Sequence, residues 1–221
     1  MGIGEATMPD LPYHAVPHVP AHWSAGSDPF SWEWITLPAI TPFILADGSG
    51  PATQQTVVRL GYDADALYVR FDCDDCDIWG TYCERDDPIY DEEAVELFIS
   101  PGKETPVDYF EFEISPNGIF FDARISNPDE RRATLRVDTA WNADARWWAR
   151  REDAVGRWTA ILALPWRCLT CEPLPSLWRA NFFRIERPRD GEPEFSCWSP
   201  TYTTPADFHK PSCFGYLMLA E

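Results

Sequence analysis

The chain has 221 residues, 45% of them hydrophobic and 14% aromatic, with 36 acids against 18 bases and a formal net charge of -18. That length supports one core of ordinary size, and so much apolar material beside the charge excludes a disordered polymer. The low density of cations disfavours nucleic acid and anionic membranes as partners, and no stretch of about 20 apolar residues could cross a bilayer.

Residues 1–30 are rich in Pro, His and Gly and show no clean period, so they read as an irregular arm packed on the body. The opening lacks the basic start and apolar run of a secretory signal, which places the protein in the cytoplasm as written, or outside it if the N-terminus is incomplete. Residues 31–221 read as one β domain. From Thr56 the sequence alternates with a period of two: "TVVRLGYDADALYVRFDCDD" predicts strand, turn and strand, with Leu67, Val69, Phe71 and Cys73 on one face and Tyr68, Arg70 and Asp72 on the other.

"AVELFIS", "YFEFEISPNGIFFDARI" and "WTAILALPW" repeat the pattern, and Pro116-Asn117-Gly118 turns the middle pair. On the segment from Tyr109 to Ile114, Phe110, Phe112 and Ile114 share one face, and Tyr109, Glu111 and Glu113 share the other. Glu130 to Val137 is compatible with a short helical piece. "LWRANFFRIERP" gives a further strand, and a long polar loop leads to a last one at Phe214 to Leu219. Many short strands and no long helical period predict an all-β fold, an antiparallel β-sandwich of immunoglobulin-like or jelly-roll-like type with long loops, a barrel being the near alternative.

Seven cysteines include two C-x-x-C pairs, Cys73/Cys76 and Cys168/Cys171, which are compatible with reduced thiols, disulfides or a metal. His14, His18 and His22 recur every four residues, but Pro17 and Pro20 break any helix that would align them. His209, in "ADFHKPSCFG", could pin its loop by a hydrogen bond or position a ligand. Nucleophile elbows, phosphate loops and dinucleotide fingerprints are absent from the sequence. Three methionines, Met1, Met8 and Met218, give little support for an axial haem ligand, so no organic cofactor is expected.

Acids crowd "DDPIYDEEAVELFIS" at 86–100 and the preceding "DCDDCD". Oxygens from Asp72, Asp74, Asp86 and Asp87 could hold a structural calcium where two loops meet. Glu96, Asp108, Glu111, Glu113 and Asp122 are by type the carboxylates from which a glycoside-processing pair could be drawn. Tyr90 stands among acids, and Trp198 lies in the polar segment "CWSPTYTTP". Aromatic rings beside carboxylates and amides suit a sugar, whose C–H face packs on the ring while its hydroxyls take hydrogen bonds.

The segments "LYVRFDCDDCDI", "RDDPIYDEEAVELFISP", "YFEFEISPNGIFFDARI", "WTAILALPW", "RANFFRIE", "WSPT" and "DFHKPSCFGYLML" together resemble the family 9 carbohydrate-binding modules, and more closely their single-domain family 9-like relatives, from about Phe30 to Leu219. The resemblance implies a β-sandwich with bound calcium and one site in which two rings enclose the terminal sugar of a chain. It places one ring at Tyr90, where characterised modules carry tryptophan, the carboxylate at Glu96, the second ring near Trp198 and an amide at Asn117. The expected function is non-catalytic binding of a mono-, oligo- or polysaccharide, at a terminal sugar. An acidic protein-interaction scaffold and a glycoside-processing enzyme are the alternatives.

Overall fold

Alternation of side chains decides the architecture, because each long strand must hide two faces. The computed structural model describes residues 10–20, 23, 28–170 and 173–220. Its strands are β1 (Tyr13–Val16), β2 (Ala39–Ile40), β3 (Ile44–Leu45), β4 (Thr56–Tyr62), β5 (Ala66–Asp74), β6 (Ala94–Pro101) and β7 (Asp108–Ile114). They continue as β8 (Phe120–Ser126), β9 (Arg136–Asp138), β10 (Arg146–Glu152), β11 (Arg157–Pro165), β12 (Leu177–Glu186), β13 (Glu194–Cys197) and β14 (Gly215–Leu219), with one short helix, α1 (Trp166–Leu169).

Two sheets result. The larger runs β1-β14-β12-β6-β7-β8-β9, with β13 paired to β12 and β3 paired to β13; the smaller runs β10-β11-β5-β4-β2. Strand β12 pairs with β6 on one edge, and its other edge is shared between β14 at Leu177–Ala180 and β13 at Phe183–Glu186. The strand pairs are antiparallel except β1 with β14, which run parallel from Tyr13↔Tyr216 to Val16↔Leu219. The N-terminal arm therefore enters the larger sheet as a strand, because Tyr13–Val16 satisfies its backbone on the free edge of β14.

Between the sheets lies the main core: Leu67, Val69, Phe71 and Cys73 from β5 and Leu162 from β11 meet Val95, Leu97, Phe112 and Phe182 of the larger sheet. The opposite face of the larger sheet carries a second apolar cluster that includes Phe98, Tyr109, Phe121, Phe183, Phe208 and Phe214. Loops cover it, so both faces of β6, β7 and β12 are buried. The outer face of the smaller sheet is covered by Val19, Trp23, Trp32 and Trp34 packed on Tyr68 and Ile161. The face assignments of β5 and β7 follow the alternation in the sequence. Glu130–Val137 departs from the expected helical piece: Thr134 and Leu135 close one turn on the Arg131 carbonyl, and Arg136–Asp138 pairs with β8, which satisfies more backbone groups than an isolated helical turn could.

Among the described residues six cysteines are free thiols: Cys73, Cys76, Cys83, Cys168, Cys197 and Cys213. Cys171 and His22 lie outside the described residues. Burial pushes the Cys73 thiol up to about 12, consistent with a sulfur that serves as a small apolar group.

One charge cluster is enclosed at the end of the main core. Arg184, fully buried, donates to Asp75 Oδ2 at 2.9 Å and to Glu186, and its guanidinium lies 5.3 Å from the centroid of the Trp158 ring. Glu93 completes a group of three acids around it. Burial, and then the charges of Asp75 and Glu186, push Glu93 up to about 9. Removing the buried cation from among such carboxylates costs far more than losing an exposed ion pair would. Arg184→Met is expected to lower stability by about 3 kcal/mol or more, read as a shift of the urea unfolding midpoint; an unchanged midpoint would remove Arg184 from the account of the core.

Candidate functional site

The loops that cover the second face of the larger sheet leave a cavity of about 530 Å³ over β6, β7 and β12. Its floor is set by strand register. Glu96 on β6 stands directly across from Glu113 on β7, and Glu111 lies two residues away on the same face. Like charges directly opposite one another oppose the sheet, so this arrangement needs compensation.

Carboxylate oxygens of Glu96, Glu111 and Glu113 lie within 4.8 Å of one another, and all three side chains are buried. Among the described residues Glu113 meets no hydrogen-bonding group beyond the neighbouring Glu111 carboxyl. Burial, then the neighbouring Glu111, raises the Glu96 carboxyl well above the usual range, and burial, then Glu96 and Glu111, does the same to Glu113. Burial pushes Glu111 up to about 7 against an ordinary 4.5. Burial and mutual repulsion thus favour the protonated form of these carboxyls.

Apolar rings and two arginines make the walls. Tyr90, 41% exposed, packs edge-on against Phe121 with centroids 5.6 Å apart, so its other surface is open to the cavity it lines. Phe195 and Phe208 also line it. Phe208 stacks on Phe183 at 4.2 Å. Arg132 pairs with Asp207 at 2.7 Å, and the Arg187 guanidinium sits 5.0 Å from the centroid of the Phe195 ring. His209 also lines the cavity; burial pushes it down to about 3, so it is neutral, with Nδ1 2.7 Å from Tyr109 Oη. The loop is thus pinned by a hydrogen bond and faces the cavity as well.

Of the residues singled out in sequence, Tyr90 and Glu96 share this cavity. Asn117 does not line it: its Nδ2 donates to the Gly80 carbonyl at 2.8 Å and its Oδ1 accepts from Arg151 at 2.6 Å, so its amide ties the β7–β8 turn to neighbouring segments. Trp198 does not line it either. Its ring packs against the core between the sheets, 5.7 Å from Phe182, and borders a separate cavity of about 220 Å³ with Pro12 and Tyr202. The residues that sequence did not single out, Arg132, Arg187, Phe195 and Phe208, come from loops and a short strand, where no period marks orientation. The alternation of β7 had put Glu111 and Glu113 on one face.

The acids expected to hold calcium have other partners. Asp72 accepts from Arg70 at 2.7 Å and from Thr159 at 2.9 Å, Asp74 pairs with Arg157 at 2.9 Å, and Asp87 accepts from the Cys83 and Glu84 amides at 3.1 and 2.9 Å. Asp86 lies 3.6 Å from Arg85. These four do not gather into a cation site, and arginines pair with three of them, Asp72, Asp74 and Asp86, so the residues do not fit a shared calcium. Among the described residues, the acids that do gather are Asp75, Glu93 and Glu186, centred on Arg184, and the three on the cavity floor.

The family model described as Carbohydrate-binding family 9 matches residues 51–219. The chain belongs to carbohydrate-binding family 9. An extracellular protein of the fungus Arthroderma benhamiae is 30% identical over 169 residues, 72% of this chain and 76% of that protein. Among solved structures, a Bacteroides uniformis protein inferred to bind carbohydrate superposes with a TM-score of 0.74 at 14% identity, covering 96% of this chain and 100% of that one. A family 9 carbohydrate-binding module of Caldicellulosiruptor kristjanssonii, in complex with cellotriose, gives 0.63 at 13% identity over 94% and 93% of the two chains. The β-sandwich is the fold of this family 9 domain.

Folding of the family 9 domain should depend on pH through the cavity floor. A carboxyl whose folded value is raised holds a proton that the unfolded chain gives up, so its contribution is full below about 4.5 and is lost as pH rises through the folded value, about 7 for Glu111. The unfolding temperature of the sugar-free protein is expected to fall across that window. Glu111→Gln should flatten the fall; a slope identical to that of the wild type would place the protons elsewhere.

Proposed function

We propose that the domain binds a single sugar residue, the end of an oligo- or polysaccharide, without transforming it. The observation that carries this reading is the half-exposed Tyr90 ring beside a cavity whose floor is three buried carboxylates, one of them meeting no hydrogen-bonding group among the described residues beyond its neighbour Glu111. The ring supplies a flat apolar face for the C–H side of a pyranose, and the carboxylates accept from its hydroxyls. A volume of about 530 Å³ suits a small ligand more than a long chain laid across a flat platform. The family to which the domain belongs, and the cellotriose held by the Caldicellulosiruptor module, support a saccharide as partner.

Catalysis fits this geometry less well. Hydrolysis of a glycoside needs two carboxyl groups that flank the scissile bond, one for each side. Glu96, Glu111 and Glu113 rise from two neighbouring strands of one sheet, so they meet a ligand from the same side. A polysaccharide ligand also suits a protein that works outside the cell, as the fungal relative's description has it for that protein.

Titration calorimetry with mono- and oligosaccharides, each also reduced to its alditol, tests the reading. Affinity lost on reduction of the end identifies terminal-sugar recognition. Tyr90→Ala is expected to weaken binding by about tenfold or more with little change in the unfolding midpoint. Trp198→Ala should instead cost about 2 kcal/mol of stability and leave affinity within error. Silence from every sugar at millimolar concentrations would end the proposal.

A further inference from the structure

The cavity floor has many acceptors and few donors. Glu96, Glu111 and Glu113 are 2%, 6% and 0% exposed, and once a cation displaces the protons that burial keeps on them they only accept hydrogen bonds. Of the two arginines in the walls, Arg132 pairs with Asp207, while Arg187 lies over the Phe195 ring with its Nε unpartnered among the described residues. Glu113, fully buried, meets no donor among the described residues beyond the Glu111 carboxyl beside it. An uncharged sugar brings one proton per hydroxyl and no positive charge, so three crowded carboxylates are more than it needs.

A primary ammonium suits the floor in its donors and its charge. It brings one positive charge and three N–H donors to three gathered carboxyl groups. The oxygens of the three glutamates lie within 4.8 Å of one another. A hard divalent cation would take three of its six or more oxygens from the same residues, but it would leave the rings idle, whereas Tyr90, Phe195 and Phe208 suit the body of an organic cation.

We infer that the sugar bound in this cavity is an amino sugar with a free amine, a 2-amino-2-deoxyhexose, whose ammonium rests on Glu96, Glu111 and Glu113 while its ring lies against Tyr90. The inference rests on the sugar-binding function proposed above and names the class of sugar. Acetylation of the amine removes the charge and sets a carbonyl acceptor against the carboxylates, so N-acetylated sugars should be rejected along with neutral ones.

Calorimetric titration of the full chain with glucosamine, glucose and N-acetylglucosamine, near neutral pH and with chelator present, decides the matter. Glucosamine is expected to bind about tenfold or more tightly than either of the others. Glu113→Gln should lower the affinity for glucosamine more than that for glucose, bringing the ratio towards one; circular dichroism and the unfolding midpoint establish that the variant is folded. Glucose and glucosamine bound equally by the wild-type protein would overturn the amino-sugar assignment and leave sugar binding standing. A preference for glucosamine that survives both Glu111→Gln and Glu113→Gln would overturn its placement on the floor. Calcium binding without chelator that is lost in Glu113→Gln, combined with no preference for glucosamine, would assign the floor to a metal. No heat from any of the three sugars or their oligomers would overturn the sugar-binding function itself and the inference with it.

Discussion

The larger sheet has no face in water over its central strands, and most of the molecule answers to that constraint. A strand presents alternate side chains to opposite sides, so a sheet buried on both sides needs two layers of cover. The smaller sheet supplies one, through Leu67, Val69 and Phe71. Loops supply the other, bringing Phe208 onto Phe183 and Tyr90 onto Phe121. Loops tile a surface less completely than a sheet does, and the cavity is the part they leave open. It can be polar at its floor because β6 and β7 place glutamates among the apolar residues of that face.

Acids that look redundant in the sequence divide into two kinds once they have partners. Those ahead of β6 act largely as tethers: Glu92 accepts from the Thr81 amide at 2.7 Å, and Asp87 from the amides of Cys83 and Glu84, so the long 75–93 connection is closed on its own side chains. Asp75 reaches further and holds Arg184, which joins the start of that connection to β12. The acids on β6 and β7 hold no arginine directly. Electrostatic cost is thus satisfied locally around Arg184 and left open at the cavity floor, which is the pattern expected where a ligand completes the structure.

Sequence made the regular parts legible for a physical reason. The period of two fixed the inner faces of β5 and β7, and so predicted that Glu111 and Glu113 share a side with Tyr109; it could not tell that the side is covered, because burial by loops leaves no period. Tyr90 and Glu96 lie within one short stretch of chain, and both line the cavity. Trp198 and Asn117 lie elsewhere, placed by long-range contacts that no local pattern encodes: Trp198 fits against Gly215, where an added Cβ would stand 2.7 Å from the indole, and Asn117 meets Gly80 and Arg151. The calcium expectation rested on the number of aspartates, and number is silent about the arginines that lie across from Asp72 and Asp74.

The parallel pairing of β1 with β14 bears on how the domain comes into being on the ribosome. Strand β14 is wedged between β12 and β1, and the pairing of Tyr13 with Tyr216 spans nearly the whole chain. While residues 215–219 remain in the exit tunnel, β1 has no partner, and the half of β12 that β14 will cover stays open. The nascent domain must wait with that edge exposed until its last strand emerges, a period in which a neighbouring polypeptide could add to the sheet. Assembly of the larger sheet is therefore timed by the emergence of residues 215–219, and a chain cut before Gly215 would lack the strand that closes it.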